Sequence, residues 1–540
     1  MPLSLRALRR LPRLAAALLM AAALGACDAG FDGAATDNRA PETELSVRSA
    51  DLTEDLGDRR LVSTVALAWS GTDPDGVVAA YDVRAFQSGD APGPDDGWGR
   101  TTRRDSTILL PIPFGQETAN VVVEVRAIDN DGALDPSPAR TVFPIRNSDP
   151  SLVLSRAEVP PDTTWPVLSF AFAAQDPDGE ANLAAVEIAL NDTLAAVAQL
   201  PPDATFATLV ARDPGAAETA ADVFIGRGFV SSDVALPGLR LDADNVVYVR
   251  AVDQAGASSR WTAYPDPDDD AAALYVRRVT SSVLLVNDYR DTASGPSPLA
   301  APTVQLSRDA LALHGTAAYD EWDLSGTAQI TASPRFSDAL PATADPALRQ
   351  TLALWDRIVW VSNRATNAAT GNNLPLAASV MDLFFEQGGR LLVHVPITLP
   401  QGADGGAANA AIDVLPLREL VEYPDGTRAF VAQQGDPVVP AAEVPGTGRT
   451  LPRLRAARFL YNAVLPYTVG PDDVSLYEIA FDLDTGAPWT GGSTLASIRS
   501  DRRVALFAIP ANGIVEPDNA EGEGLDVALA VLLDGLDFPQ

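Results

Sequence analysis

The chain of 540 residues contains one cysteine, two histidines and three methionines, and all 39 of its basic residues are arginine. These absences exclude mechanisms before any motif is sought. Without lysine there is no Walker A phosphate loop, no Schiff base and no pyridoxal attachment. With Cys27 as the lone thiol there is no internal disulfide, no iron–sulfur cluster and no thiolate zinc site. His314 and His394 stand far apart, so neither a three-histidine metal site nor an HExxH helix can be built. What remains is carboxylate chemistry, serine or threonine nucleophiles, and oxygen-ligand metals such as calcium. Acid dominates: 72 acidic residues give a net charge of −33. Such a chain repels nucleic acid and anionic lipid, which makes both poor partners. Exclusive use of arginine fits a GC-rich genome.

The single cysteine follows an export-like start. Arg6, Arg9, Arg10 and Arg13 precede the apolar run "LAAALLMAAAL" (14–24), which is too short to span a bilayer as a stable helix. "LGAC" (24–27) resembles a lipobox, the cleavage and lipidation site of bacterial lipoproteins. The resemblance implies a signal peptide over 1–26 and a mature chain that begins at an acylated Cys27. Removing 1–26 takes away four arginines and no acid, so the net charge becomes −37. Residues 27–40 are small, polar and unpatterned and read as a tether. The expected location is the cell envelope, lipid-anchored, at the outer membrane or cell surface, with the membrane engaged through the anchor.

Two internal copies follow. "WSGTDPDG" (69–76) recurs as "FAAQDPDG" (172–179), and "VVVEVRAIDNDG" (121–132) recurs as "NVVYVRAVDQAG" (245–256). The first pair is offset by 103 positions and the second by 124, so the later copy carries about 21 extra residues, expected within 191–235. Val65, Leu67 and Trp69 alternate with smaller or polar residues, as do Val123, Val125 and Ala127. That is the pattern of half-buried strands, and "DPDG" supplies the turn, with a positive φ expected at its glycine. The tryptophan strand and the "VRAxDxxG" strand resemble fibronectin type III and related immunoglobulin-like domains. The resemblance implies all-β sandwiches over 41–148 and 149–279 and names no ligand.

The pattern changes after Thr280. "SSVLLVNDY" (281–289), "DRIVWVSN" (356–363) and "RLLVHVP" (390–396) are continuous apolar runs, the mark of strands buried on both faces. A helix-like stretch near 302–314 and another over 374–387 lie between them, and a last helix is expected over 524–536. Strands alternating with helices imply a parallel sheet covered on both faces. The order "VLLVND", "YDEWDL", "DRIVWVSN", "GGRLLVHVP", "RRVALFAIP" is similar to the flavodoxin-like α/β fold of class I glutamine amidotransferase-like domains, over 280–540. Catalytic members place a cysteine elbow after the strand that follows the Gly-Gly helix end. Here that position reads Val393-His394-Val395-Pro396-Ile397, and no histidine follows His394. The amidotransferase reaction therefore does not carry over, and no catalytic residue is transferred.

Candidate sites are few. Asp288, Asn363 and His394 stand at the carboxyl ends of three expected strands, where open α/β sheets bind ligands. The plainer alternative is that Asp288 and Asn363 cap the loops or helices after them while His394 is a satisfied core residue. His314 stands at an expected helix C-terminus, where a cation suits the dipole. The glycine-rich run at 402–410 lacks a lysine and reads as a loop. Asp73, Asp75, Asp129 and Asp131 in the first copy, with Asp176 and Asp178 in the second, carry oxygen ligands suited to calcium, although Asp-Gly is also ordinary turn chemistry. Otherwise no cofactor is implied. The expected function is non-enzymatic: β-sandwich spacers presenting a catalytically empty α/β domain to an envelope protein or glycan. The alternative is an envelope hydrolase or transferase acting through carboxylates or a metal.

Overall fold

The computed structural model describes residues 37–52, 61–268, 273–289, 298–325, 337–362, 373–397, 413–421 and 424–540. Cys27 with its lipobox, Asn363 and the glycine-rich run at 402–410 lie outside them. By contact the chain divides into two units, Met1–Asn147 and Ser148–Gln540.

The first unit holds β1 (Glu42–Leu52), β2 (Leu61–Thr72), β3 (Val78–Gln87), β4 (Gly99–Thr101), β5 (Asp105–Leu109), β6 (Thr118–Asp129) and β7 (Ala139–Arg146). β2 pairs with β1 and β5, while β7, β6, β3 and β4 pair in that order. In the strand pairing of the described residues the two groups join through one parallel pair, Leu61 with Ile145. Three strands thus face four across a core of Val65, Leu67, Trp69, Tyr81, Val121, Val123, Val125 and Ala127. The alternation read from the sequence is what fills that core. On the outer face Arg84 and Arg126 lie 4.1 and 4.2 Å from the Trp98 ring, and their charges meet Glu124 and Asp82.

The two "DPDG" glycines serve different ends. Gly179 sits at φ 106°, as expected. Gly76 does not need a positive φ. It is required by proximity: a Cβ there would come within 2.4 Å of Asn130 Oδ1 and 2.5 Å of Asp73 Oδ2.

The second unit begins with another sandwich. Its strands are β8 (Ser151–Leu154), β9 (Val167–Gln175), β10 (Leu183–Leu190), β11 (Val197–Leu200), β12 (Phe206–Ala211), β13 (Glu218–Ile225), β14 (Val230–Arg240), β15 (Val247–Asp253) and β16 (Thr262–Tyr264). One sheet has the order β14-β13-β12-β9-β8 and the other β11-β10-β15-β16. Leu168, Phe170, Ile188, Leu209 and Val249 fill the space between them. Strands β11 to β13 occupy the stretch where the extra residues were expected.

The remainder holds β17 (Val283–Asp288), α1 (Ala300–His314), β18 (Asp320–Asp323), β19 (Arg357–Ser362), α2 (Leu374–Ala378), α3 (Asp382–Glu386), β20 (Arg390–His394), β21 (Pro437–Pro440), β22 (Leu454–Ala456), β23 (Asp473–Ile479), β24 (Thr494–Arg499), β25 (Val504–Phe507), β26 (Val515–Pro517) and α4 (Leu525–Gly535). Five parallel neighbours run in the order β18-β17-β19-β20-β25. The sheet then continues antiparallel through β24, β23, β21, β22 and β26. This extension makes the region far richer in strand than the alternation of strands and helices implied. The helix expected over 374–387 is two short helices, α2 and α3, separated at Ser379–Met381.

The sequence separates 149–279 from 280–540, yet the two stretches form one compact unit. Trp165, just before β9, belongs to the core of the parallel sheet. Its ring meets Trp355 edge-on at 4.6 Å and Trp322 at 6.4 Å, with the Arg277 guanidinium 4.1 Å from its centroid. Beside it the buried Asp320 carboxylate accepts from Trp355 Nε1 at 2.9 Å, from Thr280 N at 3.0 Å and from Thr280 Oγ1 at 2.5 Å. The stretch leaving the sandwich is thereby fastened to the sheet. Trp165→Ala is expected to cost about 3–5 kcal/mol and to split the melting of residues 148–540 into two calorimetric transitions. A single transition at the wild-type temperature would count against a shared core.

Candidate functional site

The five parallel strands present their carboxyl ends together, and the strand order reverses between β17 and β19. Asp288 ends β17 at that point, directly opposite Ser362 of β19. It is 1% exposed. Oδ1 accepts from Asn373 Nδ2 at 2.7 Å and Asn373 N at 3.0 Å. Oδ2 accepts from Asn373 N at 2.8 Å, Trp360 Nε1 at 3.1 Å and Leu374 N at 3.1 Å. Ser362 Oγ donates to the Asp288 carbonyl at 3.2 Å. Burial pushes the Asp288 carboxyl up to about 7, against the pull of its N–H donors from Asn373, Trp360 and Leu374. Each oxygen is taken up by the chain's own groups. The carboxylate fastens the entry to α2 and presents no free lone pair to a substrate.

His394 ends β20 and is fully buried. Its Nε2 donates to the Ile509 carbonyl at 2.8 Å, since a carbonyl only accepts, which leaves Nδ1 without a hydrogen. That nitrogen is buried and has no partner among the described residues. Phe507 meets the ring edge-on at 5.3 Å. Burial lowers its pKa to about 4, with the Ile509 bond working the other way. β19 lies between β17 and β20, so Asp288 and His394 stand two strand spacings, about 10 Å, apart. They form no dyad. Asn363, the third member of the expected cluster, lies outside the described residues.

His314 ends α1 as expected, with Gly315 at φ 95° behind it. Its Nε2 lies 3.1 Å from Asp534 Oδ1 of α4, and its Nδ1 lies 2.9 Å from Thr316 Oγ1. It joins two helices.

The acidic turns are used locally. Asp73 Oδ1 accepts from Asp75 N at 3.3 Å, and Asp129 Oδ1 accepts from Asp131 N at 2.9 Å and Ala133 N at 2.8 Å. Asp176 Oδ1 accepts from Asp178 N at 2.7 Å, and its Oδ2 from Asn182 Nδ2 at 3.1 Å. Burial first, then the Asp178 and Asp253 carboxylates, push Asp176 up to about 6. Among the described residues no three metal-ligating side chains come together as a cation would require. A second use of these turns was not read from the sequence. Asn38 Nδ2 donates to Asp129 Oδ2 at 2.7 Å and Arg39 N to Asp75 Oδ2 at 3.1 Å, while Ser148 N donates to Asp178 Oδ2 at 2.7 Å. In each copy the turn grips the segment entering the domain. The available signal was the polar, proline-ended stretch before each copy, "DNRAP" and "NSDP".

No family model and no curated protein matches the chain. Among solved structures it is similar to the fibronectin(III)-like modules of Clostridium thermocellum CbhA, at 10% identity over 41% of this chain and 91% of that one, with a TM-score of 0.14. It is likewise similar to the FN1-FN3 domains of chicken CNTN1, at 12% identity over 41% of this chain and 96% of that one, with a TM-score of 0.14. These scores are too low to bear argument. The class is defined by the strand pairing itself: a mostly β chain built on sandwich modules.

Asp288→Asn would set an amide NH2 against the N–H groups that now point at a carboxylate. It is expected to destabilise the protein by about 2–3 kcal/mol at pH 5. The sign of the pH dependence follows from the raised folded-state pKa. Between about 4 and about 7 the folded chain holds a proton that the unfolded chain has released, so this group's contribution to stability falls as pH rises. The gap between wild type and variant in urea midpoint should therefore narrow from pH 5 to pH 8. A gap that stays constant would mean that the carboxylate is ionised throughout.

Proposed function

We propose that this is a lipid-anchored protein of the cell envelope with a binding or structural role, in which sandwich modules precede a non-catalytic, flavodoxin-like region similar to class I glutamine amidotransferase-like domains. The observation that carries the reading is the state of Asp288. The polar group best placed for chemistry, at the reversal point of the parallel sheet, is consumed by Trp360, Asn373 and Leu374. His394, where related catalytic domains carry their nucleophile elbow, is buried against Phe507. The strand order supports the flavodoxin-like assignment, because β18-β17-β19-β20-β25 is 2-1-3-4-5 when counted along the chain.

The anchor rests on the sequence at 1–27. The acyl chains of a lipoprotein cysteine hold a membrane stably where a single chain does not. No helix among the described residues is long and apolar enough to cross a membrane. The partner is then an envelope protein or glycan, reached from the outer membrane or cell surface. A net charge of −33 makes nucleic acid a poor partner.

Expression of the full chain in a bacterial host tests the reading. The mature protein should begin at a triacylated or diacylated Cys27 by mass spectrometry and sediment with membranes, and Cys27→Ser should leave the precursor uncleaved and unacylated. An unacylated mature terminus in the medium would overturn the anchor. Hydrolase activity on envelope glycans that falls with His394→Leu would overturn the non-catalytic role.

A further inference from the structure

Three parallel strands begin next to an arginine: Arg357 opens β19, Arg390 opens β20, and Arg502 lies two residues before β25. Arg357 and Arg390 are direct cross-strand partners, an arrangement in which like charges repel. Burial, and then the neighbouring Arg390 guanidinium, hold the Arg357 pKa below its usual value. In a chain with so large an excess of acid, this is a local concentration of positive charge.

The chain's own end meets that charge. After α4 the backbone turns at Asp537, whose φ is 49°. Arg390 Nη1 lies 2.7 Å from Asp537 Oδ2, and Arg502 Nη2 binds Asp537 Oδ1. Arg357 Nε donates to the Asp537 carbonyl at 2.9 Å, and Arg502 Nε to the Gly535 carbonyl at 2.7 Å. The two carboxylate oxygens are thus held by two different guanidinium groups, with a third beside them. The arrangement is prepared from a distance. Gly446, at φ 82°, leaves room for the Arg502 guanidinium, because a Cβ there would lie 2.5 Å from its Cζ. Arg390 and Arg502 retain 24% and 27% of their side-chain surface and Asp537 retains 46%, so the guanidinium groups are half-buried while the carboxylate stands open to solvent. The other charge facing Arg357 is Asp356, which is exposed.

We propose that Arg357, Arg390 and Arg502 form a carboxylate-binding site that the chain's own Asp537 occupies, so that an external carboxylate enters only where the Asp537 carboxylate vacates it, while Leu536 and Phe538 on either side stay packed in the core. The site lies at the amino ends of the parallel strands, opposite Asp288 and His394, and does not depend on the anchoring or on the non-catalytic reading. Its chemistry is bidentate: two guanidinium groups, one to each oxygen.

The test is chemical rescue in the full chain. Asp537→Gly removes the carboxylate, opens its space and suits the positive φ. In chloride its melting temperature should fall by several degrees. In acetate at equal ionic strength it should recover by roughly 2–3 °C, the size expected when a ligand is about tenfold above its dissociation constant. Calorimetry should show acetate binding to this variant and none to wild type. Asp537→Asn, which removes the charge but fills the space, should lose stability without recovery in acetate, and Arg390→Gln added to the glycine variant should abolish the rescue. A glycine variant that folds only in acetate also supports the site. Three results overturn the proposal: a variant that behaves alike in chloride and acetate, one that fails to fold in both, and one rescued by inorganic phosphate but not by acetate.

Discussion

A carboxylate taken out of water must be surrounded by donors, and this chain has no lysine and no disulfide with which to fasten its parts. Its segments are joined instead by buried or half-buried aspartates that collect N–H groups. Asp320 gathers Thr280 and Trp355 and ties the exit of the second sandwich to the sheet. Asp288 gathers Asn373, Leu374 and Trp360 and seats α2 over the reversal point. Asp129 and Asp178 hold the entries to the two sandwiches. Asp537 gathers arginines and closes the chain. Most of these donors are backbone amides or indoles, which cannot be titrated away.

The same constraint separates a fastening residue from a reactive one. A catalytic carboxylate needs one lone pair facing an open space. Asp288 has the position for such a role and the burial to hold a raised pKa, but its lone pairs are spent within the chain. A perturbed pKa taken alone would have marked Asp288 as functional, and the direction of its hydrogen bonds shows what it does instead.

Long, strongly patterned stretches could be read from the residues. Val65, Leu67 and Trp69 alternate because one face is buried, and the "VLLV" and "IVWV" runs are unbroken because both faces are. The duplicated turns showed that one β pattern occurs twice. Asp288 was visible as a polar residue closing an apolar run. Its partner Asn373 was not, because 85 residues of chain separate them and no local pattern encodes that contact. Some strands between 413 and 517, β21 and β22 among them, escaped for another reason. Several are three or four residues long, too short for a period of two to rise above composition. The expected helix over 374–387 carried apolar residues at helical spacing, yet it divides at Ser379–Met381, where Val380 and Met381 are buried.

Trp165 shows how a boundary drawn by repeat can differ from one drawn by packing. The second copy ends with its own pattern near Arg278, so the sequence places a domain boundary there. Packing runs across it, because the largest fully buried side chain of that stretch is donated to the neighbouring core, where Trp322 and Trp355 receive it edge-on. An aromatic cluster of this kind carries energy beyond its buried area, and Arg277 covers the face that would otherwise meet water. What the chain presents is the pair as one body, and any binding surface on it is free to draw residues from both.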